Sequence, residues 1–204
     1  MRRWAAEGWP GAAHGAFFTA MSRWLTVLVL VLAPLAASAE GWAALRVPGT
    51  AALMRHALAP GVGDPAGFRL DDCATQRNLS ETGRAQARAS GAAIRAAGAA
   101  PDAVLTSRWC RSAETAALLA VGAVVPTPAV DSFFRDAAAR GPRTEAARAL
   151  LAERLGRGER LLVVTHQVNV SALTGGGIGS GETVLVRPGA GGALEVVGRI
   201  PAGE

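Results

Sequence analysis

Three short apolar runs, each lying between longer segments of helical character, constrain the fold of this chain most strongly. The runs span 51–54, 103–105 and 161–164, and the helical segments span 80–97, 112–121 and 142–155. Short buried strands that alternate with helices favour an α/β fold with a mostly parallel central sheet. Two later segments, 183–187 and 194–200, are predicted to be closing strands.

The first 39 residues are predicted to be an N-terminal extension, over 1–20, followed by a secretory signal peptide. From Met21 the chain has a short positive start, an apolar stretch and an Ala-Ser-Ala sequence that ends at Ala39. These are the three parts of a secretory signal peptide. We expect translation to start at Met21 and cleavage to follow Ala39. Residues 40–204 would then form one periplasmic or secreted domain with no stable membrane span. An uncleaved anchor stays open, although the apolar stretch is shorter than the roughly 20 residues of a typical span.

The composition narrows the chemistry that the chain can perform. All 21 basic residues are arginine, and tyrosine is absent. A lysine Schiff base and the usual lysine-containing phosphate loop are therefore excluded. The formal charge is +5, and removal of residues 1–39 takes away three arginines and one glutamate, which leaves +3. The arginines are scattered with little aromatic interleaving, so we predict a small anionic ligand and no nucleic-acid partner.

Histidines and arginines follow the predicted strands. Arg55 and His56 follow the first, Arg108 and Arg111 follow the second, and His166 follows the third. Ligands of such sheets bind at the carboxyl ends of the strands. Arginine offers planar donors to phosphate oxygens, and neutral imidazole can attack phosphorus. The pattern predicts phosphoryl transfer without a metal.

Four ordered segments resemble the histidine phosphatase superfamily, which has the phosphoglycerate mutase-like fold. They are Arg55-His56-Ala57, 78–87, 106–116 and 163–166. The resemblance implies a three-layer α/β/α domain over 40–204. One departure is Ala57, which stands where the family has glycine, and this slightly favours a degenerate enzyme.

The resemblance also implies the roles of the site residues. His56 would form a phosphohistidine, while Arg55, Arg111 and His166 would bind the phosphoryl oxygens. Arg108 would lie at the pocket edge or cap a helix. The activity would be that of a metal-independent, histidine acid phosphatase-type phosphoric monoester hydrolase with no cofactor.

The general acid is less clearly marked. One branch of the family has aspartate directly after the second histidine, where this chain has Gln167. The other branch takes its acid from the middle of the chain, where Asp131 is our first choice, ahead of Asp64 in the loop after His56. A phosphohistidine or another phosphoramidate has a good leaving group and would not need the acid.

Several further assignments stay open from sequence. Cys73 and Cys110 form an even pair that predicts a disulfide in an exported protein, although two reduced thiols are the alternative. Four aromatic residues either line the pocket or pack in the core, and core packing is expected for most of them: Phe68, Trp109, Phe133 and Phe134. The expected partner is a small phosphorylated substrate, with an envelope glycan phosphate as one candidate, and the oligomeric state is not predicted. The competing function is a non-catalytic anion-binding protein on the same fold.

Overall fold

The computed structural model describes residues 41–203. The predicted signal peptide and its cleavage site lie outside the described residues. Along this part of the chain the strands and helices alternate. The strands are β1 (Ala51–Arg55), β2 (Ala103–Thr106), β3 (Val124–Pro126), β4 (Leu161–Thr165), β5 (Thr183–Pro188) and β6 (Leu194–Ile200). The helices are α1 (Glu81–Ala96), α2 (Cys110–Leu119), α3 (Arg140–Gly156) and α4 (Gln167–Thr174).

The six strands form one sheet in the order β3-β2-β4-β1-β5-β6. The pairs β2–β3, β2–β4 and β1–β4 are parallel, whereas β1–β5 and β5–β6 are antiparallel. The predicted mostly parallel sheet is confirmed. Because β2, β4 and β1 are neighbours and run the same way, the residues that follow them meet at one edge of the sheet.

Both faces of the sheet are covered, as a three-layer architecture requires. Alternate side chains of a strand point to opposite faces. Ala52 and Met54 accordingly pack with Ile94 of α1 and Leu119 of α2, whereas Leu53 packs with Leu151 of α3 on the other face. This two-sided burial explains why the strands read as continuous apolar runs.

Local signals explain where the helices begin and end. The Ser80 hydroxyl accepts a hydrogen bond from the Gly83 N–H at 3.0 Å and caps α1. α4 ends at Gly175, whose φ of 76° is a left-handed conformation that glycine adopts readily. The sequence pattern predicts neither β3 nor α4. β3 has only three residues, and a single residue, His166, separates α4 from β4. Among residues 41–203, no helix is both long enough and apolar enough to cross a membrane.

Candidate active site

The three parallel strand ends bring the predicted histidines together. The His56 N–H donates to the Thr165 carbonyl oxygen at 2.9 Å, and the Ser107 N–H donates to the Val164 carbonyl oxygen at 3.0 Å. These backbone bonds join the ends of β1, β4 and β2. The ring centroids of His56 and His166 are 5.4 Å apart, and both side chains are buried.

The hydrogen bonds of His56 define its tautomer. Its Nδ1 lies 2.8 Å from the Ala57 carbonyl oxygen, which can only accept, so Nδ1 carries the proton. Its Nε2 lies 3.2 Å from Arg111 Nε, which can only donate, so Nε2 carries the lone pair. The pKa of His56 is lowered to about 3, mainly because the ring is buried. The hydrogen bond to the Ala57 carbonyl oxygen raises the pKa, and the charges of nearby arginines lower it further. His56 is therefore a neutral imidazole with a defined nucleophilic nitrogen.

The Ala57 departure from the family pattern leaves the backbone unstrained. Within residues 41–203, the one non-glycine residue with positive φ is Ala120, so Ala57 has an ordinary backbone conformation. Its methyl group is fully buried with Ala59, Leu79 and Ala87. The Ala57 N–H donates to Thr115 Oγ1 at 3.1 Å, which fixes the segment that carries His56.

A cavity of about 230 Å³ opens over His56. Its cationic lining comprises Arg55, Arg77 and Arg111, and His166 also lines it. Burial, followed by the charge of Arg111, lowers the pKa of both Arg55 and Arg77. The buried Nε of Arg55 has no hydrogen-bond partner. A cavity with clustered guanidinium groups and an unused donor is suited to an anion.

Arg77 is a cavity residue that the sequence reasoning missed. In the sequence it lies in the loop before α1 and does not directly follow any strand. The loop folds back because Arg77 Nε donates to the Gly63 carbonyl oxygen at 2.7 Å and Arg77 Nη1 donates to Ala59 O. Its place just before the 78–87 segment was the available signal. Arg108, in contrast, is not part of the cavity lining.

Asp64 does not stand as a free acid. Its carboxylate forms a two-oxygen ion pair with Arg111, at 2.7 Å from Nη1 and 3.3 Å from Nη2. It also accepts from Trp109 Nε1 at 3.1 Å. Burial raises the pKa of Asp64, but the hydrogen bonds from Arg111 and from the Arg77 N–H outweigh burial and lower it overall. Asp64, our second choice of acid, is therefore held against the Arg111 guanidinium.

Asp131, our first choice of acid, is also held in an ion pair, with Arg108. Its fully buried carboxylate accepts from Arg108 Nε at 2.8 Å and from Arg108 Nη2 at 2.5 Å. It also accepts from Ser107 Oγ at 3.3 Å, and Ser107 Oγ lies 2.8 Å from His166 Nε2. Asp131 and Arg108 therefore support His166 through Ser107. Burial holds the pKa of His166 well below its usual value, followed by repulsion from the protonated form of His56 and from the nearby arginines.

Cys73 and Cys110 form a disulfide with their Cα atoms 5.7 Å apart. The bond joins the loop that carries Arg77 to the first residue of α2, next to Arg111. Gln76 reinforces this junction because its Oε1 accepts from the Cys110 N–H at 3.0 Å. Among residues 41–203, no group of three or more His, Cys, Asp and Glu side chains is placed to hold a metal ion.

Comparison with solved structures identifies the fold. The protein histidine phosphatase SixA complexed with tungstate matches with a TM-score of 0.54 and 17% identity, over 74% of this chain and 96% of that chain. The alpha-ribazole phosphatase from Shigella flexneri matches with a TM-score of 0.54 and 15% identity, over 74% of this chain and 96% of that chain. A mutant phosphoserine phosphatase from Entamoeba histolytica in complex with phosphoserine matches with a TM-score of 0.56 and 10% identity, over 74% of this chain and 96% of that chain.

These neighbours are members of the histidine phosphatase superfamily, and the predicted phosphoglycerate mutase-like fold is confirmed. No protein-family model matches the sequence, and no curated protein matches it.

Proposed function

We propose that this chain is a phosphatase that hydrolyses a phosphomonoester through a phosphohistidine on His56. The observation that carries the proposal is the His56 Nε2 lone pair, which faces a cavity lined by Arg55, Arg77 and Arg111. The fold that it shares with phosphatases supports the same reading. Neither the export of the chain nor its independence of metal is needed for this core proposal.

The reaction proceeds in two displacements at phosphorus. In the first, the Nε2 lone pair forms a bond to phosphorus while the bond from phosphorus to the leaving-group oxygen breaks, and the electron pair leaves with that oxygen. In the second, the oxygen of a water molecule bonds to phosphorus, and the P–N bond breaks with its electron pair returning to Nε2. The departing alkoxide takes a proton from solvent, and the attacking water gives one back. Inorganic phosphate and neutral His56 result. Overall, one water molecule is consumed and one alcohol is released.

The cationic groups stabilise the charge that spreads over the three non-bridging oxygens in the transition state. Arg111 donates to the His56 lone pair in the free protein, and a phosphoryl oxygen takes over that donor when substrate binds. The unused Nε of Arg55 gives a second donor. Asp64 keeps the Arg111 guanidinium in place through its two-oxygen ion pair.

The residues that line the cavity within 41–203 include no aspartate or glutamate. Protonation of an alkoxide by a carboxylic acid typically contributes about 10²–10⁴-fold. A substrate with a good leaving group does not need this contribution to the rate. This observation favours, as a second candidate, a phosphohistidine or other phosphoramidate substrate, whose departing nitrogen can be protonated by solvent.

The test is hydrolysis of 4-nitrophenyl phosphate and of a phosphoramidate by the full chain, with and without a chelator. We expect turnover that resists the chelator and is lost in His56→Ala. Arg88→Gln is the matched control, because Arg88 is exposed on α1. Turnover retained in His56→Ala would refute the phosphohistidine route. Tight phosphate binding without turnover in the wild type would instead support the non-catalytic anion-binding protein.

We further propose that the phosphatase acts outside the cytoplasm. The signal-like sequence before Glu40 and the Cys73–Cys110 disulfide both support export, since disulfides persist in oxidising compartments. An envelope glycan phosphate is then a candidate substrate. Fractionation of cells that express the full chain should recover it, cleaved after Ala39, outside the cytoplasm. Recovery of uncleaved chain in the cytoplasm alone would contradict export.

A further inference from the structure

A second cavity of about 160 Å³ adjoins the phosphate-binding cavity. The two cavities share Ser132 and Phe134 in their walls. The other apolar walls of the second cavity are Phe68 and Trp109. A group attached to a phosphoryl group above His56 can therefore reach the second cavity across Phe134.

Aromatic rings lead from one cavity towards the other. The Phe68 and Trp109 centroids lie 5.9 Å apart at 39°, and the Trp109 and His166 centroids lie 5.4 Å apart at 77°. Phe134 is 53% exposed, whereas Phe133 beside it is 7% exposed. A large exposed aromatic side chain at a cavity wall offers apolar area that a ligand can cover.

The aromatic wall is held by polar contacts with the catalytic site. Trp109 Nε1 donates to Asp64 Oδ2 at 3.1 Å, and Asp64 pairs with Arg111. Arg135 Nη2 donates to the Asp64 carbonyl oxygen, while its guanidinium carbon lies 6.0 Å from the Phe68 ring centroid. These contacts hold the Trp109 and Phe68 walls of the second cavity in place.

The charged residues of this cavity favour a ligand with an anionic or acceptor group. Arg135 and Arg143 line it together with two carboxylates, Asp64 and Asp136. The Asp64 carboxylate is already paired with Arg111. Asp136 Oδ1 accepts from the Ala139 N–H at 3.2 Å, so it is already engaged in capping a turn. Arg143 Nη1 donates to the Ser132 carbonyl oxygen at 3.1 Å, which holds its guanidinium at the wall.

We propose that the second cavity is a leaving-group subsite that selects flat, aromatic groups carrying a carboxylate or similar acceptor. The proposal rests on the proposed function, because it places the phosphoryl group over His56. Phe134 stacks on the flat group, and Arg143 pairs with its acceptor. The subsite is distinct in composition from the phosphate cavity, whose charged lining binds any phosphoryl group.

The test compares three non-hydrolysable phosphonates by calorimetry on the full chain: methylphosphonate, benzylphosphonate and 4-carboxybenzylphosphonate. We expect benzylphosphonate to bind about tenfold more tightly than methylphosphonate, the gain typical of one aromatic contact. Phe134→Ala should abolish that gain, and Phe134→Leu should restore only part of it. Arg143→Gln should remove only the additional gain from the carboxylate. The control is Val197→Ala, an exposed change on β6 at the opposite edge of the sheet from β3.

The outcomes separate this proposal from the proposed function. If the wild type turns over aryl phosphates through His56 but binds all three phosphonates equally, the subsite is refuted and the phosphatase stands. If turnover is absent but benzylphosphonate binds more tightly in a Phe134-dependent way, the subsite stands and the catalytic proposal fails. Failure of all three phosphonates to bind would overturn the subsite, and the turnover assay with His56→Ala would then decide the catalytic proposal by itself.

Discussion

Replacement of both cysteines by serine should lower stability by an amount that follows from the position of the disulfide. Cys73 and Cys110 are 37 residues apart, and the segment they enclose contains Arg77 and all of α1. Closing a loop of this length removes chain entropy from the unfolded state equivalent to about 4 kcal/mol at 25 °C. Domains of this kind have a total stability of about 5–15 kcal/mol. The Cys73→Ser/Cys110→Ser variant should therefore still fold, with a much smaller margin.

Phosphate binding should be affected less than stability by the Cys73→Ser/Cys110→Ser change. Two other contacts still join the loop to α2, namely the Gln76 bond to the Cys110 N–H and the Asp64–Arg111 ion pair. We expect the folded variant to bind phosphate within a few-fold of the wild type at low temperature.

The assay is urea unfolding of the wild type and the double variant, each with and without reductant. Reductant should bring the wild type close to the variant and leave the variant unchanged. A loss below about 1 kcal/mol in both comparisons would refute the entropic reasoning.

Three further predictions follow from the site and its packing. Arg77→Gln should raise the phosphate inhibition constant roughly 10–100-fold, the value of a lost charge-assisted hydrogen bond; Arg88→Gln is its control, and equal inhibition of the two variants would exclude Arg77 from the site. The pKa of His56 falls from 6.5 unfolded to about 3 folded, so the unfolded chain binds the extra proton and stability should fall as pH drops below about 6.5. Between pH 7 and pH 5, protonation of His56 in the unfolded chain should lower the free energy of unfolding of the wild type by about 2 kcal/mol, as measured in urea. His56→Gln should lack this contribution, and an equal loss of unfolding free energy in the wild type and in His56→Gln would contradict the assignment. Gly83→Ala should destabilise by about 1–3 kcal/mol in thermal unfolding, because the new Cβ would lie 2.1 Å from the Leu58 carbonyl oxygen; Gly141→Ala, with open space around it, should not, and similar melting of the two variants would count against this packing.

The sequence predicted the parts of the site that depend on strand ends. His56, Arg55, Arg111 and His166 follow apolar runs, and a parallel sheet places the ends of neighbouring strands together. The same logic cannot reach Arg77, because its position depends on how a loop folds back onto Ala59 and Gly63. Sequence spacing carries no information on that path.

The carboxylates show a second limit of sequence reasoning. Asp64 and Asp131 are both near the site, and either could have been an acid by residue type alone. Their roles depend on which arginine each one meets: Asp64 pairs with Arg111, and Asp131 pairs with Arg108. Such pairings are made between distant segments, so they emerge only when the chain has folded.

The most direct test of the catalytic proposal is the site of phosphorylation during turnover. The full chain, mixed with 4-nitrophenyl phosphate and quenched in alkali to preserve phosphohistidine, should carry one phosphoryl group by peptide mass spectrometry. We predict that this group is on His56 and that it is missing from His56→Ala. A phosphoryl group on His166, or turnover that proceeds in His56→Ala, would contradict the account.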